Sequence, residues 1–173
     1  MTTATLAWTL VSKQHPNSNF NNGTNFNNGT SEARVGHEDE TGMTARSFWR
    51  MRFNTGLKGA EFDSATFKIL NTHSWSCTTR QMELWWTGAI STATTWNKQP
   101  TWNASPGANK RSFAYGRDGC KDDYAAFDVK AFADTVAQKG ADNLTLGMRA
   151  TSEGDTQTWR KFTAKSAELS AVY

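Results

Sequence analysis

The chain predicts an all-β protein, a β-sandwich of two antiparallel sheets with one short helix, and three observations carry that reading. First, consecutive segments between Ala45 and Trp86 alternate with the two-residue period of half-buried strands. In Ser47–Phe53 (SFWRMRF), Ser47, Trp49, Met51 and Phe53 share one face, and Phe48, Arg50 and Arg52 the other. In Ser64–Leu70 (SATFKIL), Ala65, Phe67 and Ile69 oppose Thr66 and Lys68; in Gln81–Trp86 (QMELWW), Met82 and Leu84 oppose Glu83 and Trp85. Second, each segment has one apolar face to bury, which calls for a second sheet stacked on the first. Third, helical spacing is convincing only over Asp128–Lys139. There Val129, Phe132, Ala133 and Val136 fall at i, i+3, i+4 and i+7, and Gly140 follows as a C-cap.

The remaining elements follow in order. Ala4–Ser12 alternates loosely and reads as an opening strand. After His15-Pro16 the hexapeptide NFNNGT occurs twice, at Asn19–Thr24 and Asn25–Thr30, each copy with the strong Asn-Gly turn signal. Each copy is also an N-x-T sequon, which matters only in a eukaryotic secretory pathway. Two readings stay open for this stretch: a long exposed loop, or a binding loop in which Phe20 and Phe26 present aromatic surface beside Asn amides. Glu32–Gly36 is a short strand, and Glu38-Asp39-Glu40 reads as a solvated acidic turn. His73-Ser74-Trp75-Ser76-Cys77 is a polar and aromatic connection. Gly88–Asn109 is loop-like, with Trp96 and Trp102 flanking Gln99-Pro100. These two tryptophans read either as a packed corner or as a sugar-stacking surface. Phe113–Tyr115 is a short strand. Leu144–Ala150 is a cleaner one, with Leu144, Leu146 and Met148 inward and Thr145, Gly147 and Arg149 outward. Trp159–Phe162 and Ala167–Tyr173 close the chain as strands.

Composition bounds the function. A chain of 173 residues suits one domain. Mean hydropathy is low, at −0.67, yet there are 8 Trp and 10 Phe, so the core is built from few, large side chains. Low Leu with high Thr, Asn and Trp fits secreted β-proteins. The net charge of +3 comes from dispersed lysines and arginines, and no run of them resembles a nucleic-acid patch. The balance is compatible with an anionic polysaccharide partner. No apolar run approaches the length of a membrane span. No signal peptide stands at Met1, and MTTATLAW reads as the mature start of a processed protein or a domain cut from a longer chain.

Catalysis needs a nucleophile with a base, a poised acid/base pair, or a metal. His15, His37 and His73 lie in unrelated segments with no HExxH or GxSxG context. Glu83, Glu153 and Asp155 could serve a glycosidase, but nothing in the sequence pairs them. Asp118, Asp122 and Asp123 cluster around Gly119-Cys120; with carbonyls they could begin a calcium site, although EF-hand spacing is absent. Cys77 and Cys120 lack the CxxC spacing of a zinc site, and the pattern leaves a bridge and two free thiols equally open. Sugar binding asks for aromatic faces beside Asn, Gln, Arg and carboxylate groups. Phe48 and Trp85 beside Arg50, Lys68, Glu83 and Arg149 meet that description on the sheet face left over. Arg50 and Glu83 could instead form a cross-strand ion pair under a loop.

The order Arg46-Ser47-Phe48-Trp49-Arg50-Met51, Ser64-Ala65-Thr66-Phe67, Met82-Glu83-Leu84-Trp85, Thr95-Trp96-Asn97-Lys98-Gln99-Pro100, Phe127-Asp128-Val129 and Leu146-Gly147-Met148-Arg149-Ala150, with a final Leu169…Tyr173, resembles the DNRLRE-domain family over nearly the whole chain. The style of His73–Cys77 resembles versions found in large secreted actinobacterial proteins. The resemblance implies a jelly-roll β-sandwich on an extracellular, cell-surface or cell-wall protein, tethered to other domains, with Cys77 and Cys120 as a disulfide pair and an oxidising compartment. Related TED-type modules bind carbohydrates, including acidic polysaccharides. The doubled NFNNGT and Met51-Arg52, where the family usually has Phe-Asp, depart from the pattern. The expectation is therefore a non-catalytic carbohydrate-binding or adhesion module. A structural spacer without its own ligand is the alternative, and a polysaccharide-degrading enzyme the second alternative.

Overall fold

A computed structural model describes residues 1–53, 56 and 58–173. Its strands are β1 (Thr2–Ser12), β2 (His15–Asn21), β3 (Glu32–His37), β4 (Thr44–Arg52), β5 (Ser64–Ser74), β6 (Arg80–Trp86), β7 (Asn109–Phe113), β8 (Asp123–Asp128), β9 (Asn143–Ala150), β10 (Arg160–Thr163) and β11 (Glu168–Val172). Among the described residues one α-helix, α1 (Lys130–Lys139), connects β8 to β9, and two short 3-10 turns lie at Thr156–Thr158 and Ala164–Ser166. All pairings are antiparallel, and the predicted two-layer sandwich with a single short helix is what forms.

In the first layer β5 is central. β8 runs along one edge, and β11 and β10 lie end to end along the other. The second layer reads β2-β1-β4-β9-β6-β7. Two strands belong to both. β1 pairs with β11 through Thr2–Ala4, then shifts register between Thr5 and Ala7 and continues on β4. β3 pairs with β10 through residues 32–35 and with β4 through Gly36 and His37. Gly36 takes φ +102° at that crossing, and a Cβ there would sit 2.2 Å from the Thr158 carbonyl oxygen, so the bend needs glycine. A hydrogen-bonded circuit, β1-β11-β5-β10-β3-β4, thereby joins the layers.

The alternating inward faces supply the core. Trp49 meets Phe67 at 5.6 Å and Phe162 at 6.4 Å between ring centroids, within a cluster that includes Trp8, Leu10, Ile69, Met82, Leu84 and Leu146. Arg160 is wholly buried among them and donates to the carbonyls of Gln157, Trp159 and Phe113 at 2.7–2.9 Å. Burial pulls its pKa down to about 10, which leaves it charged at neutral pH. Helix α1 buries Phe132, Ala133, Val136 and Ala137 and ends at Gly140 with φ +65°. It starts two residues later than the apolar spacing predicts, because Asp128 still pairs with Thr66 in β8 and its carboxylate accepts from the Lys130 amide at 2.9 Å.

Four local expectations are corrected. The stretch expected to be loop after His15 begins as strand β2, held by main-chain pairing to β1 despite its asparagines. The short strand expected at Phe113–Tyr115 lies instead at β7, an edge whose Lys110 and Arg111 suit an exposed ladder. Asp123–Asp128 forms an additional strand. Glu38 of the acidic turn is buried, accepting from the amides of Thr41 (2.9 Å) and Met43 (3.3 Å) and from the Thr41 hydroxyl. Burial alone would raise its pKa; those donors outweigh it and hold the carboxyl below its usual range.

Candidate functional site

Two regions collect the aromatic and cationic side chains. The first is the outer face of the second layer, where β4, β6 and β9 place Arg46, Phe48, Arg50, Glu83, Trp85 and Arg149 by strand alternation. The loop between β6 and β7 folds back across this face. Phe48 is wholly buried beneath it, 5.1 Å from Trp102 and packed with Val11 and Ile90. Gly147 makes room, since a Cβ there would lie 2.9 Å from both the Phe48 ring and the Thr87 methyl group. Above Phe48 the side chains stack in alternation. The Arg46 guanidinium lies 4.4 Å from the Trp96 ring centroid and 5.5 Å from that of Trp102. Arg149 lies 4.7 Å from Trp102 and 4.7 Å from Trp85.

Carboxylates and an amide lock this ladder. Glu153 takes Arg46 in a bidentate pair at 2.7 and 2.9 Å, and Gln99 accepts from both Arg46 and the Trp102 indole. Glu83 accepts from Arg149 at 3.2 Å, the Trp85 indole at 3.0 Å and Thr151 at 2.9 Å. Burial would raise the Glu83 pKa, but these three donors outweigh it and lower it.

These contacts revise the predicted ligand residues. Phe48, expected on an open face, is interior, with no surface exposed. Trp85, Glu83 and Arg149 share the sheet face as their alternation predicts, and the loop tryptophans Trp96 and Trp102, expected as a separate corner or stacking surface, join them there with guanidinium groups against their rings. Lys68 is on the other layer altogether, pairing with Glu168 at 3.6 Å and lying 5.0 Å from the Tyr124 ring. Alternation gives a side chain's face within its own strand and is silent on which sheet the strand joins. The Arg50–Glu83 ion pair offered as the alternative does not form; Glu83 takes Arg149 instead. Phe20 and Phe26 are buried and pack edge to face at 5.2 Å, with the Arg34 guanidinium 4.5 Å from Phe26, so they anchor the repeat loop rather than present it. Among the described residues no three acidic, His or Cys side chains are placed to hold a metal. Asp118, Asp122 and Asp123 are exposed, and Asp123 accepts from the Tyr124 amide at 2.7 Å.

The second region is a cleft of about 520 Å³ at the rim of the sandwich. The β1–β2 turn (Gln14, His15), Asn27 of the repeat loop and the turn bearing Glu38 and Glu40 line one side. His73, Trp75, Arg117 and Lys161 line the other. Lys161 stands opposite His73 across the β10–β5 ladder, and the Trp75 amide donates to the Trp159 carbonyl at 3.3 Å. A disulfide joins Cys77 to Cys120 with Cα atoms 5.7 Å apart, tying the segment after Trp75 to the turn that carries Arg117. Trp75 is 39% exposed, and among the described residues no ring or cation covers its face. Burial, then the charges of Lys161 and Arg117, holds His73 below the ordinary histidine pKa. Neither Arg117 nor Lys161 has a carboxylate at ion-pair distance among the described residues. Sequence reasoning passed over Trp75 as part of a connection. The available signal was its place between serines, two residues before a cysteine, where a tryptophan has little apolar company.

Among the described residues no helix is long and apolar enough to cross a membrane. Compared with known proteins, the chain matches no protein-family model and no curated protein.

Proposed function

We propose that the protein is a non-catalytic carbohydrate-binding or adhesion module of an extracellular protein, with its ligand at the rim cleft rather than on the sheet face. The observation that carries this is Trp75. It is exposed, its ring face is uncommitted, and it stands in a concave surface beside imidazole, guanidinium, ammonium and amide groups. A sugar ring uses this combination, its C–H face against the indole and its hydroxyls on the polar rim. The resemblance to DNRLRE-domain proteins supports a glycan as ligand, and the Cys77–Cys120 bridge supports an oxidising compartment. The cleft's buried carboxylate, Glu38, has its oxygens engaged by Thr41 and Met43, which favours holding a ligand over turning one over.

Affinity electrophoresis against a polysaccharide panel tests the reading. Retardation lost in Trp75→Ala and kept in Trp85→Ala, both variants folded, is the expected result. Loss in Trp85→Ala alone would return the site to the sheet face. The spacer reading has its own support in the ladder, where Trp85, Trp96 and Trp102 each already have a guanidinium against the ring. Absence of any retardation across neutral and acidic polymers would favour it.

A further inference from the structure

The roof over the second layer stops short of one end. There Arg50 and Arg52, two residues apart on β4 and so on the same face, line a cleft of about 660 Å³ with Leu6, Phe53, Asp142 and Asn143. Arg50 is half-buried, and its Nε is out of contact with solvent and has no hydrogen-bond acceptor. Neither guanidinium forms an ion pair among the described residues. The carboxylate in the lining, Asp142, accepts instead from the Asn143 amide nitrogen at 2.7 Å. Arg160 also has an Nε without an acceptor, but both ends of its fork are held by carbonyls, whereas among the described residues the Arg50 side chain donates no hydrogen bond. Two like charges side by side disfavour each other, and a half-buried donor without an acceptor is costly. An oxyanion seated between them removes both penalties. The guanidinium fork suits planar or tetrahedral oxyanions, and the apolar wall of Leu6 and Phe53 lowers the local dielectric and strengthens the attraction.

We propose that Arg50 and Arg52 form an oxyanion-binding site, taking a carboxylate, sulfate or phosphate group, separate from the rim cleft. The site does not depend on the carbohydrate reading, because its chemistry is the anion itself. Residues of the ladder (Arg46, Arg149) are excluded from it, their guanidinium groups being already paired.

The test follows the arginine Nε–Hε resonances of the whole chain by NMR while acetate, sulfate or phosphate is added at constant ionic strength balanced with chloride. The expected result is a saturable shift at Arg50 with one of the three anions, and none at Arg160. Removing one charge-assisted partner in Arg52→Gln should weaken that anion about tenfold. Arg52 is exposed, so this variant folds even if Arg50→Gln does not. The anion that binds tightest identifies the source: acetate points to uronate-type carboxylates, sulfate to sulfated polymers, phosphate to phosphorylated ones. A shift that never saturates, or one left unchanged by Arg52→Gln, overturns the proposal. Trp75→Ala should leave the anion titration as it is, so failure here is separable from failure of the rim cleft.

Discussion

The roofed face of the second layer and the rim cleft are built from the same side-chain types. Both place tryptophans among cations within a β-framework. On the roofed face each half-buried indole is clamped against a guanidinium, and each guanidinium is clamped in turn by a carboxylate. At the cleft, among the described residues, Trp75 has neither neighbour, and Arg117 and Lys161 form no ion pair with a carboxylate. The difference teaches that an aromatic-cationic surface is not itself a binding surface. What counts is whether the partners have already satisfied one another. Where they have, the ring contributes to stability; where they have not, it is free for a ligand.

Four experiments break or sharpen that contrast. The largest effect on stability is expected from Cys77→Ser with Cys120→Ser. The bridge closes a sequence separation of 43 residues, so its loss should cost about 4 kcal/mol in the chain-entropy model, read by urea denaturation. Because the bridge also fixes the Arg117 turn, the rim cleft should weaken as well. Next, Trp102→Ala removes the central rung of the ladder and uncovers Phe48. A loss of about 3 kcal/mol is expected, with polysaccharide retardation unchanged. If retardation disappears in this variant while it stays folded, the two regions are not independent.

Acid comes third. The folded-state pKa of Glu83 is lowered, so its contribution to stability is present above the unfolded carboxylate pKa and is lost as pH falls through the folded value. Denaturation midpoints measured from neutral pH downward should fall in that window, and less steeply in Glu83→Gln. His73 has the opposite chemistry. Its folded pKa is also lowered, but the favoured form is neutral, so it withdraws stability once pH drops below the unfolded histidine pKa, ahead of the Glu83 window. The smallest effect on stability belongs to Trp75→Ala, about 1–2 kcal/mol, because much of the side chain already lies in solvent. A larger loss would mean that Trp75 is structural and would weaken the case for the cleft.

Much of the framework is legible in the chain. Alternation in Ser47–Phe53, Ser64–Leu70 and Gln81–Trp86 assigns the inward residues correctly, since Trp49, Met51, Phe67, Ile69, Met82 and Leu84 are all in the core. It fails where nonlocal pairing decides. Nothing in SATFKIL tells that Lys68 joins the layer opposite Arg50. Nothing in SFWRMRF tells that Phe48 will be covered by a tryptophan more than fifty residues away. The repeat hides a strand because main-chain pairing to β1 overrides the poor β-propensity of asparagine. Its phenylalanines turn inward because burying the rings offsets the entropy lost in ordering the loop. The site suffers most, because Trp75, Arg117, Lys161 and Asn27 come from four separate segments that only the closed sandwich assembles.

The pairing of Thr2 with Ser170 has a mechanical consequence. The chain before Thr2 and the chain after Ser170 leave the β1–β11 ladder at the same end, so tension drawn through both loads its hydrogen bonds singly, as a zip opens, and not all at once in shear. Under load this seam yields first, while the remainder of β1, laid along β4 in the opposite layer, holds until the bend at Thr5–Ala7 straightens.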